Sequence, residues 1–147
     1  MACNLVVQRS RYIFTMSNQL INDIREVLKK DKRVLFAYLY GSVLEGDECR
    51  DVDIAVFGRT DVSPHVLSAD LKVALYHRTG LSPDLFDIRV INDILEKGNL
   101  FSLVFLRNVF SKNFLLVDRS RSARALFIER YGMKFRECEG LIDEVLS

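Results

Sequence analysis

The chain has no tryptophan, two prolines, seven glycines and three cysteines in 147 residues. So little proline and glycine excludes collagen-like and low-complexity disordered sequence. Cys3, Cys49 and Cys138 are far apart and odd in number. They exclude a disulfide scaffold and match no metal-ligand spacing, so they read as free thiols of a reducing, cytoplasmic compartment. Cys49 is read as an incidental loop thiol, with a reactive role as the alternative. The two histidines, His65 and His77, are too far apart to chelate a metal from one helical turn. Neither charge sign dominates: the net charge is +1. No broad basic field is present to grip a nucleic-acid backbone, which excludes general nucleic-acid binding. No apolar run is long enough to span a membrane. The first fifteen residues lack the charge-then-apolar order of a secretory signal.

What is present suits one soluble globule. About half the residues are apolar and 28% are charged, and this length supports a real core. Residues 1–16 read as a loosely attached arm, with Met16 an alternative start. Ser17 is a plausible N-cap for a helix whose stripe is Leu20, Ile21, Ile24, Val27 and Leu28. The cations of Lys29 to Arg33 suit its C-terminus. Val34 to Tyr40 reads as a strand. Ser63-Pro64 opens a second helix with Val66, Leu67, Leu71, Ala74 and Leu75 inward, and Gly80 ends it. Residues 83–91 read as a third strand. Asn92 or Asp93 is expected to cap a third helix, interrupted at Gly98. Residues 113–117 read as a further strand. From Arg119 a helical stripe of Phe127, Tyr131, Phe135, Cys138, Leu141, Ile142 and Val145 covers the sheet or holds a partner.

The stretch from Phe36 to Gly58 organises the rest. It reads as strand, tight Gly41-Ser42 turn, polar loop at Gly46 to Glu48, and strand from Asp51 to Phe57. Side chains alternate along a strand, so Asp51 and Asp53 point to one face. Asp53 lies within an otherwise apolar run, where a lone carboxylate is costly. Two hard oxygen ligands side by side suit Mg2+, which takes one or two carboxylates and completes its shell with phosphate oxygens. Glycine at the turn lets a phosphate approach the backbone without a Cβ in the way. Asp84 and Asp87, three residues apart on the next strand, fall on opposite faces, so only one joins the cluster.

Gly41-Ser42 followed by Asp51-Val52-Asp53 resembles the Gly-Ser…Asp-x-Asp signature of the polymerase-beta-type nucleotidyltransferases, over roughly residues 34 to 118. Eight residues, Val43 to Arg50, separate the serine from the first acid, fewer than the family's usual spacer. The commonly basic position after the turn is missing, with Glu45 near it. The resemblance implies an α/β (α+β) fold with a mixed sheet packed with helices. It also implies a third acid followed by an apolar pair, which favours Asp84, with Asp87 the alternative. Asp51, Asp53 and Asp84 are then the expected catalytic and metal-binding residues, holding two Mg2+ ions. Gly41 and Ser42 are the expected nucleotide-binding residues, with ATP as substrate.

The short length is similar to that of the minimal nucleotidyltransferases, often paired with a HEPN-domain toxin. Residues 17–118 would form the transferase domain and 119–147 a helix packed on it or on a partner. The resemblance implies an antitoxin that adenylylates a tyrosine of its HEPN partner. A contact-only antitoxin, a small-molecule transferase of the antibiotic-modifying kind, a purely structural domain, and assembly as a homo-oligomer remain open at this point.

Overall fold

The computed structural model describes residues 5–8, 11–14, 17–44, 51–97 and 99–146. The expectations for Cys3, Met16, Glu45, the Gly46–Glu48 loop, Cys49 and Gly98 lie outside the described residues. Two short strands, β1 (Leu5–Gln8) and β2 (Arg11–Phe14), pair antiparallel in the segment read as an arm. The Ser17 side chain accepts a hydrogen bond from the Leu20 N–H at 3.1 Å. It thus caps α1 (Asn18–Lys30), where it satisfies one of the orphan donors of the first turn. Lys29 and Lys30 close that helix beside its negative end.

The main sheet follows. β3 (Val34–Tyr40) leads into a 3-10 turn at Gly41–Leu44, and β4 (Val52–Gly58) returns antiparallel to it. Then come α2 (Pro64–Thr79), β5 (Phe86–Val90), α3 (Leu100–Ser111), β6 (Asn113–Asp118) and α4 (Arg121–Leu146). The strand order is β5-β4-β3-β6; β4 and β5 are parallel and the other two pairings antiparallel. This is the mixed α+β architecture expected. The parallel pair follows from its connection, since α2 carries the chain back to the starting edge as a crossover must.

Alternation on the strands sends apolar side chains to both faces. Leu39, Ile54, Val56 and Ile88 pack with Leu20, Ile24 and Leu28 of α1 and Leu67, Leu71 and Leu75 of α2. Phe36, Tyr38, Ala55 and Ile91 pack with Leu103, Leu106 and Val109 of α3 and Phe127 and Ile142 of α4. Each such fully buried Leu, Ile or Phe contributes about 1.5–3 kcal/mol of transfer free energy. The central strands are therefore clamped from both sides.

Several expectations are corrected. Val66 is half-exposed, because the inward stripe of α2 is the single line Leu67, Leu71, Leu75 and Thr79. The segment read as a strand from Pro83 begins with a 3-10 turn at Pro83–Leu85, and the strand starts only at Phe86. Ser82 accepts a bond from the Asp84 N–H at 3.3 Å and holds that turn. Helix α3 is capped by Asn99, which accepts from the Ser102 N–H at 2.8 Å, and not by Asn92 or Asp93. Asn92 is engaged elsewhere: its side-chain amide accepts from the Gly58 N–H at 2.8 Å and donates to the Gly58 C=O at 2.6 Å. Leu141 and Val145, assigned to the buried stripe of α4, are more than half exposed.

Asn92 ties the end of β4 to the turn after β5, which holds the parallel pair in register. Asn92→Ala is expected to lower the unfolding free energy by about 1–3 kcal/mol, the cost of a lost two-way bond. The exposed Asp93→Ala control should stay within about 0.5 kcal/mol of the parent in urea denaturation.

Candidate active site

The fold sets four residues in one row across the sheet. Asn113 on β6 faces Tyr40 on β3, Tyr40 faces Asp53 on β4, and Asp53 faces Asp87 on β5. In-register neighbours share a face, here the one covered by α3 and α4. The acids sit at its end, where the apolar cover stops: Asp53 is half-buried and Asp51, two residues back, is exposed.

Burial pushes the Asp53 carboxyl up to about 6, and the negative charges of Asp87 and then Asp51 push it the same way. Arg89 opposes the shift, and a side-chain hydrogen bond with Asp87 adds to it. The structure therefore brings Asp51, Asp53 and Asp87 into one electrostatic cluster. It does not bring Asp84 there: Asp84 is exposed in the 3-10 turn before β5, and its charge does not figure among those acting on Asp53. The signal for Asp87 was the alternation of Phe86-Asp87-Ile88-Arg89-Val90. Ile88 packs in the α1/α2 core, so Asp87 and Arg89 take the other face, the face of Asp53.

Gly41 begins the turn directly after Tyr40, with φ +82°. That left-handed conformation suits glycine. A Cβ built at Gly41 would run into the Asp53 carboxylate, so the turn backbone lies directly against the acid. Ser42 follows, exposed, as the second residue of the 3-10 turn.

Three further residues flank the acids and were not singled out in the sequence. The Arg89 guanidinium lies 4.9 Å from the centre of the Phe105 ring, and its Nε is 3.9 Å from Oδ2 of Asp87. Phe105 meets Tyr40 edge-on, with ring centres 5.6 Å apart. Burial, followed by the charge of Asp53, raises the Tyr40 phenol above its ordinary value. Tyr40 is therefore a neutral hydroxyl at working pH. Tyr40, Phe105 and Arg89 form an aromatic and cationic border beside the carboxylates.

No group of three or more His, Cys, Asp or Glu residues closes a metal-ligand set by itself among the described residues. The donor chemistry nonetheless fits a hard divalent ion. Burial and neighbouring carboxylates that raise the affinity of Asp53 for a proton favour any cation that replaces it. Phosphate oxygens and water would complete the shell of such an ion.

Comparison with known proteins follows the same lines. A family model described as Polymerase beta, Nucleotidyltransferase matches residues 22–122. No curated protein matches the chain. Among solved structures, a crystal structure of the toxin-antitoxin MntA-HpeT with a tyrosine-to-alanine substitution is 22% identical, with a TM-score of 0.57 over 90% of this chain and 100% of that one. Another of MntA-HpeT, with two aspartates changed to glutamate, is 20% identical, with a TM-score of 0.55 over 86% and 98%. A crystal structure described as the toxin-antitoxin with AMP-PNP is 24% identical, with a TM-score of 0.55 over 86% and 98%. At these identities the likeness is one of fold.

The raised Asp53 carboxyl makes stability depend on pH in a definite direction. Between about pH 4, its ordinary value, and about 6, the folded state binds more protons than the unfolded one. Its contribution is thus present below about pH 4 and lost as pH rises through 6. Without divalent ions, Asp53→Asn is expected to be about 1–2 kcal/mol more stable than the parent at pH 7, the full shift being discounted for partial solvent screening. The gap should close at pH 3.5. Chemical denaturation at the two pH values measures it; a variant no more stable at pH 7 contradicts the charge crowding.

Proposed function

The chain belongs to the polymerase beta nucleotidyltransferase family, and on that premise we propose that it transfers AMP from ATP to a hydroxyl of a protein acceptor, as an antitoxin. The observation that carries this reading is Asp53, in register with Asp87, lying against the Gly41 turn. Carboxylates next to a glycine backbone provide for a polyphosphate and its counter-ions in one place. The solved toxin-antitoxin structures of the same fold, one with AMP-PNP, support the choice of nucleotide and biological role. The sequence resemblance to the minimal members supports a HEPN-domain toxin, modified on tyrosine, as acceptor.

In this mechanism the Gly41 and Ser42 backbone and the Ser42 hydroxyl bind the β- and γ-phosphates. Asp51, Asp53 and Asp87 would hold Mg2+, which when bound supplies positive charge at the phosphates and lowers the pKa of an attacking hydroxyl. Asp87, at the outer strand, takes the place the sequence reading gave to Asp84. It orients the acceptor hydroxyl and receives its proton. The acceptor oxygen bonds to the α-phosphorus, the α–β phosphoanhydride bond breaks, and pyrophosphate leaves. Asp53 must be ionised to take the ion, so the affinity of the metal-free protein for Mg2+ should rise with pH through about 6.

The eight-residue interval between Ser42 and Asp51 favours a second reading, an antitoxin that neutralises its partner by contact alone. Neutralisation in cells by an Asp53→Ala/Asp87→Ala variant, at full strength, would establish it.

Incubation with radiolabelled ATP, Mg2+ and the product of the adjacent reading frame tests the first reading. Asp53→Asn and Asp87→Asn are each expected to reduce transfer about 100-fold or more. Asp84→Asn should stay within a few-fold of the parent. Equal transfer by the parent and the Asp87 variant would remove Asp87 from the site.

A further inference from the structure

Strand β5 is an edge of the sheet: it pairs with β4, and no described strand pairs with its outer side. A cleft of about 500 Å³ runs along that edge. Its walls are His65 and Ser68 from the start of α2, Arg89 from β5, Lys97 from the turn after β5, and Ser102 from the first turn of α3. Ser68 donates to the Ile88 C=O at 3.2 Å, so one outward backbone group of β5 is already taken by a side chain within the cleft. Strand alternation turns the backbone groups of Val90 outward as well. Arg89 is shared by the cleft and the acid site, through its 3.9 Å approach to Asp87.

We propose that this cleft is the acceptor-binding channel, and that its occupant is an extended, acidic polypeptide segment laid along the free edge of β5. The inference rests on the transferase reading for its purpose but not for its test. Two features select a polypeptide. With the Ile88 C=O taken by Ser68, the outward N–H and C=O of Val90 are the edge groups in the cleft that another extended peptide backbone satisfies and a sugar–phosphate backbone does not. The permanent charges in the lining are the cations Arg89 and Lys97 against the single carboxylate Asp93, which favours acidic side chains flanking the hydroxyl. The lining carries one cation more than its carboxylate, too small a charge excess to hold a run of RNA phosphates.

The test uses the full chain without ATP. Its probe is a fluorescein-labelled random copolymer of glutamate and tyrosine, followed by fluorescence anisotropy. The parent is expected to bind it, and a His65→Glu/Lys97→Glu variant to lose at least about tenfold in affinity. A Lys29→Glu/Lys30→Glu variant, altered at the end of α1, should bind as the parent does, and a 20-residue oligouridine should not compete. No binding by the parent, equal binding by the cleft variant, equal loss in the α1 variant, or effective competition by oligouridine would each overturn the proposal. Because no nucleotide is present, absent AMP transfer with intact cleft-dependent binding would count against the transferase reading alone. Intact transfer with cleft-independent binding would count against the channel alone.

Discussion

Asp53 and Asp87 occupy the same rung of two parallel strands, and the crowding of the Asp53 carboxylate, by burial first and then by the charge of Asp87, is the constraint around which this molecule is built. Carboxylates free to move would separate. Here the backbones that carry them cannot, because each lies in a strand whose neighbours are buried. Ile54, Val56 and Ile88 are held in the α1/α2 core, and Ala55 and Ile91 in the core beneath α3 and α4. The apolar free energy of those two cores, summed over many side chains, exceeds the cost of keeping two like charges together. The register is therefore kept, and the unfavourable charge appears as an affinity for protons or other cations.

The surroundings grade that affinity. Arg89 supplies one cation, stacked on Phe105 and long enough to move, and it offsets part of the repulsion. Tyr40 adds no charge, because its phenol stays protonated. Gly41 removes the side chain that would otherwise fill the space above Asp53. The result is a negatively charged end of the sheet, bordered by aromatics and lying against the turn that follows β3.

Much of this was legible in the chain. Val34–Tyr40 announced itself as a strand by its run of β-formers and the glycine that stops it, and Ser17, Ser63-Pro64 and Gly80 marked helix ends by local chemistry. Gly41, Asp51 and Asp53 were accessible because their grouping depends on a short segment and on strand alternation. The resemblance favours Asp84 over Asp87, and the choice between them depends on where β5 begins. The turn at Pro83–Leu85 takes Asp84 out of the strand, and its Ser82 hydrogen bond is local chemistry that strand-pattern reading overlooks. Asn92 was taken for a cap because its bond to Gly58 spans 34 residues of sequence and leaves no local mark. Tyr40, Phe105 and Arg89 come from three elements, and only packing brings them together.

The most direct measurement is the titration of the Asp53 carboxyl itself, by carbon-13 NMR of aspartate-labelled protein, assigned with an Asp53→Asn variant. In metal-free buffer its midpoint should lie near 6. With saturating Mg2+ and a non-hydrolysable ATP analogue it should fall below the ordinary value of about 4. A midpoint near 4 in both conditions would mean that the acids are not crowded and hold no ion between them.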